Sequence, residues 1–409
     1  MQKETKKNLK FPKDFMWGVA TASYQIEGNN SNSDWWQWEE KGETIDKSGL
    51  ACDYWNRFKN DHDFLDELGV NSFRLSLEWS RIENKEGEFS QETISHYREI
   101  LEDLKKRNIK TTVTLWHWTS PIWFQRNYGF HNKKSVEIFT RYCQKVVSEL
   151  GDLVDIYVVV NEPMVPLGMG FLGGVFPPGF KNPFKFYRAL NNVASAYKNI
   201  YKIIHEKYPT AQVGTSYLYN WYERSDSKMV NVINKISQWY RIDLLGNKIK
   251  DYQDYLGIDY YRIGKIKFNW RKIKLDTKNQ IYFGFTIEEN KENLMKWIAY
   301  PEGIYKVLKE AQKKYNLPIY ILENGLPTTE GTEDVERVKF IQDHLFYVKK
   351  AMAEGVDVRG YYHWSLLDNY EWLYGYAPRF GLIEMNYETL ERTPRKSFYA
   401  YKKIIEKTR

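Results

Sequence analysis

A chain of 409 residues is long enough for two or three average domains or for one large α/β barrel, with a sizeable core and no need of disulfides or metals. Two cysteines, Cys52 and Cys143, form no CxxC pair, and the seven histidines fall in no HxH or HExxH arrangement, which argues against disulfide scaffolds and metal sites. Sixty basic against 53 acidic residues, spread along the chain, give a net charge of +7, too mild and mixed to indicate a nucleic-acid partner.

Residues 1–10 are basic but lack the apolar core of a signal peptide, so they are expected to be a flexible tail on a cytoplasmic protein. No apolar run reaches the roughly 18–20 residues that a membrane span requires. Eight short apolar, β-branched or aromatic runs then recur: Met16–Ser23, Val70–Trp79, Thr111–Trp118, Ile156–Pro163, Ala211–Leu218, Asp254–Tyr261, Pro318–Gly325 and Val358–Asp368. Their continuous apolar character suits strands covered on both faces, as in a parallel sheet. Each gap between them has room for a helix. Ile94, Tyr97, Leu101 and Leu104 fall on one helical face, and Val136, Phe139, Cys143, Val147 and Leu150 on another, which makes Cys143 a core thiol. Val335, Val338, Ile341, Leu345, Val348 and Met352 form a third such face. Eight strands alternating with helices, and no break in composition, predict one (β/α)8 barrel over residues 1–409.

The excess over a roughly 250-residue minimal barrel must lie in loops. Phe171–Pro183 is one of them, rich in Gly and Pro. The largest, Arg262–Pro301, contains Lys265–Trp270 and Gln280–Phe283, which alternate like a hairpin. Its bases and aromatics read as a lid with one solvated face, because nothing else in the chain supports a nucleic-acid partner.

Barrel enzymes carry their chemistry at the carboxyl ends of the strands. Those ends here hold Arg74 and Glu78; His117 and Trp118; Asn161 and Glu162; Asp259 to Tyr261; Glu323 and Asn324; and Trp364, Asp368, Glu371 and Trp372. Taken singly, Glu162 or Glu323 could equally be a solvated loop residue or half of a structural ion pair. Together, ending runs four and seven and ringed by tryptophans, they suggest a glycosidic bond held between an acid and a nucleophile. The aromatic content, 17% of the chain, provides faces for the C–H surfaces of sugars as well as for the core.

Phe11–Gly28, Phe73–Arg81, Trp116–Trp118, Asn161-Glu162-Pro163, Glu323-Asn324-Gly325 and Trp364–Trp372 together resemble, in order and nearly end to end, the motifs of family 1 glycoside hydrolases, the β-glucosidase and β-galactosidase family. The resemblance implies a retaining β-glycosidase that forms a covalent glycosyl-enzyme intermediate, needs no cofactor or metal, and acts on small β-glycosides or short oligosaccharides. Removal of terminal β-D-glucosyl, and of β-D-galactosyl or fucosyl, residues is expected, and transglycosylation and homo-oligomers are compatible with it. Glu323 would be the nucleophile and Glu162 the acid/base. Asn161 would bind the sugar 2-hydroxyl, and Arg74 and Tyr261 would flank Glu323. Gln25, His117, Trp118, Glu371 and Trp372 would hold the other hydroxyls, Trp364 would form the stacking floor, and Trp297 would be the platform for the leaving group.

Two positions depart from the family pattern. Strand six usually reads Asn-Tyr-Tyr, but here it is Asp259-Tyr260-Tyr261, and the Thr usual before the nucleophile is Leu322. An ionised Asp259 near the site would raise a neighbour's pKa; pointing away, it would pair with Arg262 or Lys265. Neither departure touches the two glutamates, so activity is expected to survive. Two rival readings share the fold. A 6-phospho-β-glycosidase is disfavoured by Glu371, which would repel a phosphate dianion, and by Ala377-Pro378-Arg379-Phe380, which lacks that group's phosphate-binding residues. A non-catalytic carbohydrate-binding protein would be expected to lack one or both glutamates.

Overall fold

The computed structural model describes residues 11–268, 285–287 and 295–408. Every predicted run contains a strand: β1 (Met16–Ala20), β2 (Ser72–Ser76), β3 (Lys110–Trp116), β4 (Ile156–Val160), β5 (Gln212–Gly214), β6 (Ser216–Leu218), β7 (Leu256–Asp259), β8 (Ile319–Asn324) and β9 (Val358–Trp364). All pair in parallel, in the spatial order β5-β4-β3-β2-β1-β9-β8-β7-β6. The fifth run supplies both ends of that order. Its strand is broken at Thr215, with β5 pairing β4 and β6 pairing β7, so eight runs close one barrel. At the break the Thr215 hydroxyl donates to the Val160 carbonyl, and the Thr215 carbonyl accepts from Gly257 N at 3.0 Å.

The continuous apolar character of the runs follows from this geometry. Ile156 and Val158 of β4 belong to the cluster that includes Met16, Tyr255, Tyr320, Leu322 and Tyr362, while Tyr157 and Val159 join the larger core around it. Alternate residues thus fill two apolar layers, as expected of strands covered on both faces. Leu322, found where the family usually has Thr, belongs to the inner cluster. Room for it comes from Gly257, where an added Cβ would lie 2.5 Å from Leu322 Cδ1 and 2.6 Å from the Thr215 carbonyl.

Helix 91–106 buries Ile94, Tyr97, Leu101 and Leu104 as predicted, and its first turn is capped by the Ser90 side chain, which accepts from Thr93 N. Cys143 is a buried core thiol on helix 135–150. Helix 335–353 corrects one expectation. Ile341, Leu345 and Val348 are buried, but Val335 is 55% exposed and Arg337 takes the inner face of the first turn. Burial of Arg337 is tolerated because its guanidinium pairs with Asp334 at 2.6 Å and donates to the Gly381 and Arg379 carbonyls at 2.6 and 2.5 Å.

In the largest loop an antiparallel pair joins Ile266–Phe268 to Phe285–Ile287. The predicted partner segment 280–283, the end of the first segment at 269–270, and the tail 1–10 lie outside the described residues. No helix among the described residues is long and apolar enough to cross a membrane.

Candidate active site

β2, β4, β7 and β8 direct one charged group each to the same end of the barrel. Arg74, within β2, is fully buried, and its Nη1 donates to Glu323 Oε1 at 2.7 Å and to the Leu322 carbonyl at 3.2 Å. Nη2 donates to Asn161 Oδ1, and Nε to Thr114 Oγ1 at 3.3 Å. The second oxygen of Glu323 accepts from the Tyr261 hydroxyl at 2.5 Å. Glu162 follows β4, and one oxygen from each of Glu162, Asp259 and Glu323 falls within 4.8 Å of the others. Such proximity fits the closer arrangement of retaining enzymes, whose carboxyl groups lie about 5–5.5 Å apart, better than the wider one of inverting enzymes.

Burial raises the pKa of both glutamates, by different amounts. At Glu323 burial is opposed by the charge of Arg74 and by the hydrogen bonds from Tyr261 and Arg74. Glu162 has no such donors among the described residues; burial, Asp259 and Glu323 push it well above the usual carboxylate range, and Arg241 and Arg74 offset this only in part. The proton therefore rests on Glu162 and the charge on Glu323.

Beside this group lies a second, more aromatic one. Gln25 Nε2 donates to Asn369 Oδ1 at 2.8 Å, to the Tyr370 carbonyl at 2.9 Å and to Glu371 Oε1 at 3.3 Å. Trp364 Nε1 donates to the same Glu371 oxygen at 3.3 Å, and burial pushes the Glu371 carboxyl up to about 8. His117 Nε2 meets Asn161 Nδ2 at 3.1 Å, which makes Nε2 the acceptor. Burial and Arg74 hold the His117 ring well below the usual histidine range, hence neutral. The His117 ring lies 6.2 Å from Trp364 and 6.1 Å from Trp372, nearly parallel to both. Trp118, Glu162 and Trp372 hold positive φ angles of 73°, 39° and 53°, a backbone region that side chains rarely adopt. Tertiary contacts hold two of them: Trp118 Nε1 donates to the Asn161 carbonyl at 3.0 Å, and Trp372 stacks on Tyr24. Trp297 stands apart, 5.2 Å from the Tyr261 ring and 5.9 Å from Phe380.

All twelve residues singled out from the sequence thus fall into two linked networks, with Trp297 packed at the edge of the first. Of the two readings of Asp259, the inward one holds. Its carboxyl faces Glu162 and Glu323, whereas Lys265 pairs with Glu223 at 3.4 Å. Several contributors were not singled out. Ser216 donates to Asn161 Oδ1 at 2.6 Å, Asn369 anchors Gln25, and Arg241 acts on Glu162. Asn369 lies inside a recognised motif, but neither Ser216 nor Arg241 carries a local signal.

Gly325, after the nucleophile candidate, is fixed by close approach. A Cβ there would lie 1.9 Å from the Trp364 carbonyl oxygen, so backbone would have to move. Gly325→Ala is expected to destabilise the fold by about 1–3 kcal/mol, read as a lower denaturation midpoint. An unchanged midpoint would show that the β8–β9 junction yields freely.

The glycosyl hydrolase family 1 model matches residues 7–245 and 242–409. β-Glucosidase A of Acetivibrio thermocellus is 31% identical, over 97% of this chain and 98% of that protein. The structure of a β-glycosidase from Pyrococcus horikoshii superposes with a TM-score of 0.88 at 36% identity, over 98% of this chain and 96% of that one. A β-glucosidase from Thermotoga maritima in complex with glucoimidazole gives a TM-score of 0.89 at 28% identity, over 98% and 99% of the two chains. Match over nearly the whole length, on a barrel whose rim gathers two glutamates, an arginine and a ring of tryptophans, leads to one conclusion: the chain belongs to glycosyl hydrolase family 1.

Proposed function

We propose that this protein hydrolyses terminal non-reducing β-D-glucosyl residues, and β-D-galactosyl or fucosyl residues, with retention, the whole chain acting as one cytoplasmic catalytic domain. The observation that carries this reading is the placement of carboxyl oxygens of Glu162 and Glu323 within 4.8 Å, with Arg74 and Tyr261 donating to Glu323 and not to Glu162. Glu323, ionised, attacks the anomeric carbon as Glu162 gives its proton to the departing glycosidic oxygen. The sugar is left as an α-ester on Glu323. Water then attacks the same carbon, gives a proton to Glu162, and displaces the Glu323 carboxylate, so the β-configuration returns. Transfer to a second sugar differs only in the acceptor.

Neutral His117 suits a role as hydrogen-bond partner to a sugar hydroxyl. Gln25 Oε1 and His117 Nδ1 are buried atoms with no partner among the described residues, and sugar hydroxyls would satisfy both. Trp364 supplies the apolar face beneath the ring, and Trp297 one for the aglycone. The 6-phospho reading has little support. Glu371 sits beside Gln25 and Trp364, and the nearby Arg379 is engaged by Asp368 at 3.3 Å and by the Met385 carbonyl at 2.8 Å.

A panel of aryl β-glycosides, with and without a 6-phosphate, tests the proposal. The unphosphorylated glucoside is expected to be cleaved at least about 100-fold more efficiently than its 6-phosphate, because a buried carboxyl at Glu371 offers a phosphate dianion no cation and little solvation. NMR during turnover should show the β-anomer released first. Preference for the phosphorylated substrate, or the α-anomer as first product, would overturn it.

A further inference from the structure

Three carboxyl groups converge in this site, and the short hydrogen bonds that Arg74 and Tyr261 give to a carboxyl both go to Glu323. Asp259 ends β7 opposite Glu323 of β8, and the register slips between Ile258 and Asp259. Its carboxyl is fully buried, and neither oxygen accepts a close hydrogen bond from a donor among the described residues. The donors nearby are committed elsewhere. Tyr261 gives its proton to Glu323, and Ser216, which also lies beside Asp259, gives its short bond to Asn161 at 2.6 Å. Arg74 comes within 3.9 Å of Asp259 Oδ1, but its short ion pair, at 2.7 Å, is to Glu323 Oε1. The remaining neighbour is Glu162, which has no side-chain donor of its own among the described residues and lies within hydrogen-bonding reach of Asp259, and two buried carboxyls so placed favour holding one proton between them.

We propose that Asp259 and Glu162 share one proton in the free enzyme, so that the acid/base of this protein is a two-carboxyl unit in which Asp259 is a positioning residue acting through Glu162. This rests on the reading of Glu162 as acid/base. The family pattern has an uncharged Asn at the Asp259 position, so the second carboxyl is a property of this sequence. In the first step the shared proton passes to the glycosidic oxygen, and both carboxyls of the pair are left ionised. Glu323 is then a neutral ester, and the counter-charges left to the pair among the described residues are Arg74 beside Glu323 and Arg241 towards Glu162. Two adjacent anions make Glu162 a stronger base toward the incoming water. When water gives up its proton, the pair returns to its starting state.

The sign of the pH effect follows. An anionic neighbour makes Glu162 hold its last proton to higher pH, and a neutral amide does not. The groups facing the pair are Arg74 from β2, Glu323 from β8, Tyr261 after β7 and Arg241 from segment 239–243. The neutral variant Asp259→Asn changes none of these.

The test is kcat/KM against pH for an aryl β-glucoside, in the unaltered protein, Asp259→Asn and Glu162→Gln. The basic limb of Asp259→Asn is expected about one pH unit lower, roughly a tenfold loss on the alkaline side, with little change on the acidic side. Asp259→Thr removes the charge without adding an amide and carries the same expectation should the Asn variant fail to fold. A basic limb that stays in place or rises in a folded variant would overturn the proposal. So would a limb that shifts when a chelator or Mg²⁺ is added, since the three carboxyls would then hold a cation rather than a proton. Failure of the underlying reading looks different: Glu162→Gln would leave the basic limb intact, whereas here it should abolish it.

Discussion

Glu323→Ala is expected to lower hydrolysis of aryl β-glucosides by at least about 10⁴-fold, and added azide to restore turnover as the α-glycosyl azide. Removing the carboxylate leaves a gap on the α face of the bound sugar, next to Arg74 and Tyr261, whose donors would otherwise meet Glu323 at 2.7 and 2.5 Å. A small anion enters that gap and is held by the same donors. It attacks once, and the product keeps the inverted configuration because no second displacement follows. Glu162→Ala gives the opposite stereochemistry. The ester on Glu323 still forms from substrates with good leaving groups, and azide attacks it from the β face. Product NMR reads both results. Swapped anomers would exchange the two roles, and a Glu323→Ala variant with near-normal turnover would remove Glu323 from the chemistry.

The second large effect concerns stability. Arg395 is 1% exposed and grips Asp368 with both terminal nitrogens, at 2.8 and 2.9 Å, while Asp368 also accepts from Gly381 N at 2.9 Å. This pair ties the segment after β9, which carries Asn369, Glu371 and Trp372, to the carboxyl-terminal helix 396–406. Arg395→Met keeps most of the volume but leaves Asp368 with Arg379 at 3.3 Å as its remaining cation. Loss of one partner of a buried pair typically costs about 3–5 kcal/mol. At this chain length that corresponds to about 3–6 °C in Tm. Asp368→Asn in the Arg395→Met background removes the stranded charge and should recover part of the loss. A single variant that melts within about 1 °C of the parent would show that Arg379 and the backbone donors suffice.

The β-strand runs and the site residues were legible in the sequence for a shared reason. Strands covered on both faces read as unbroken apolar segments whatever their partners, and Glu162, Glu323 and their neighbours sit at the ends of such segments. Two other features were not legible because long-range partners create them. The break at Thr215 arises where one strand must pair with β4 on one side and β7 on the other to close the barrel. Arg337 is inside because carbonyls more than forty residues away accept its protons, so the helical pattern of its own segment placed Val335 there instead.

Asp259 marks the boundary most clearly. Its identity as a departure from the family pattern was plain from the residue alone, and so were the two consequences it could have. Which of them holds depended on where its side chain points. Side chains alternate along a strand, and one step of register reverses them. Ile258 packs in the outer core, so alternation turns Asp259 inward, and the slip in pairing with β8 sets Glu323 opposite it. Sequence alone determined which chemical groups are available; the register of neighbouring strands, a property of the closed barrel, decided which of them meet.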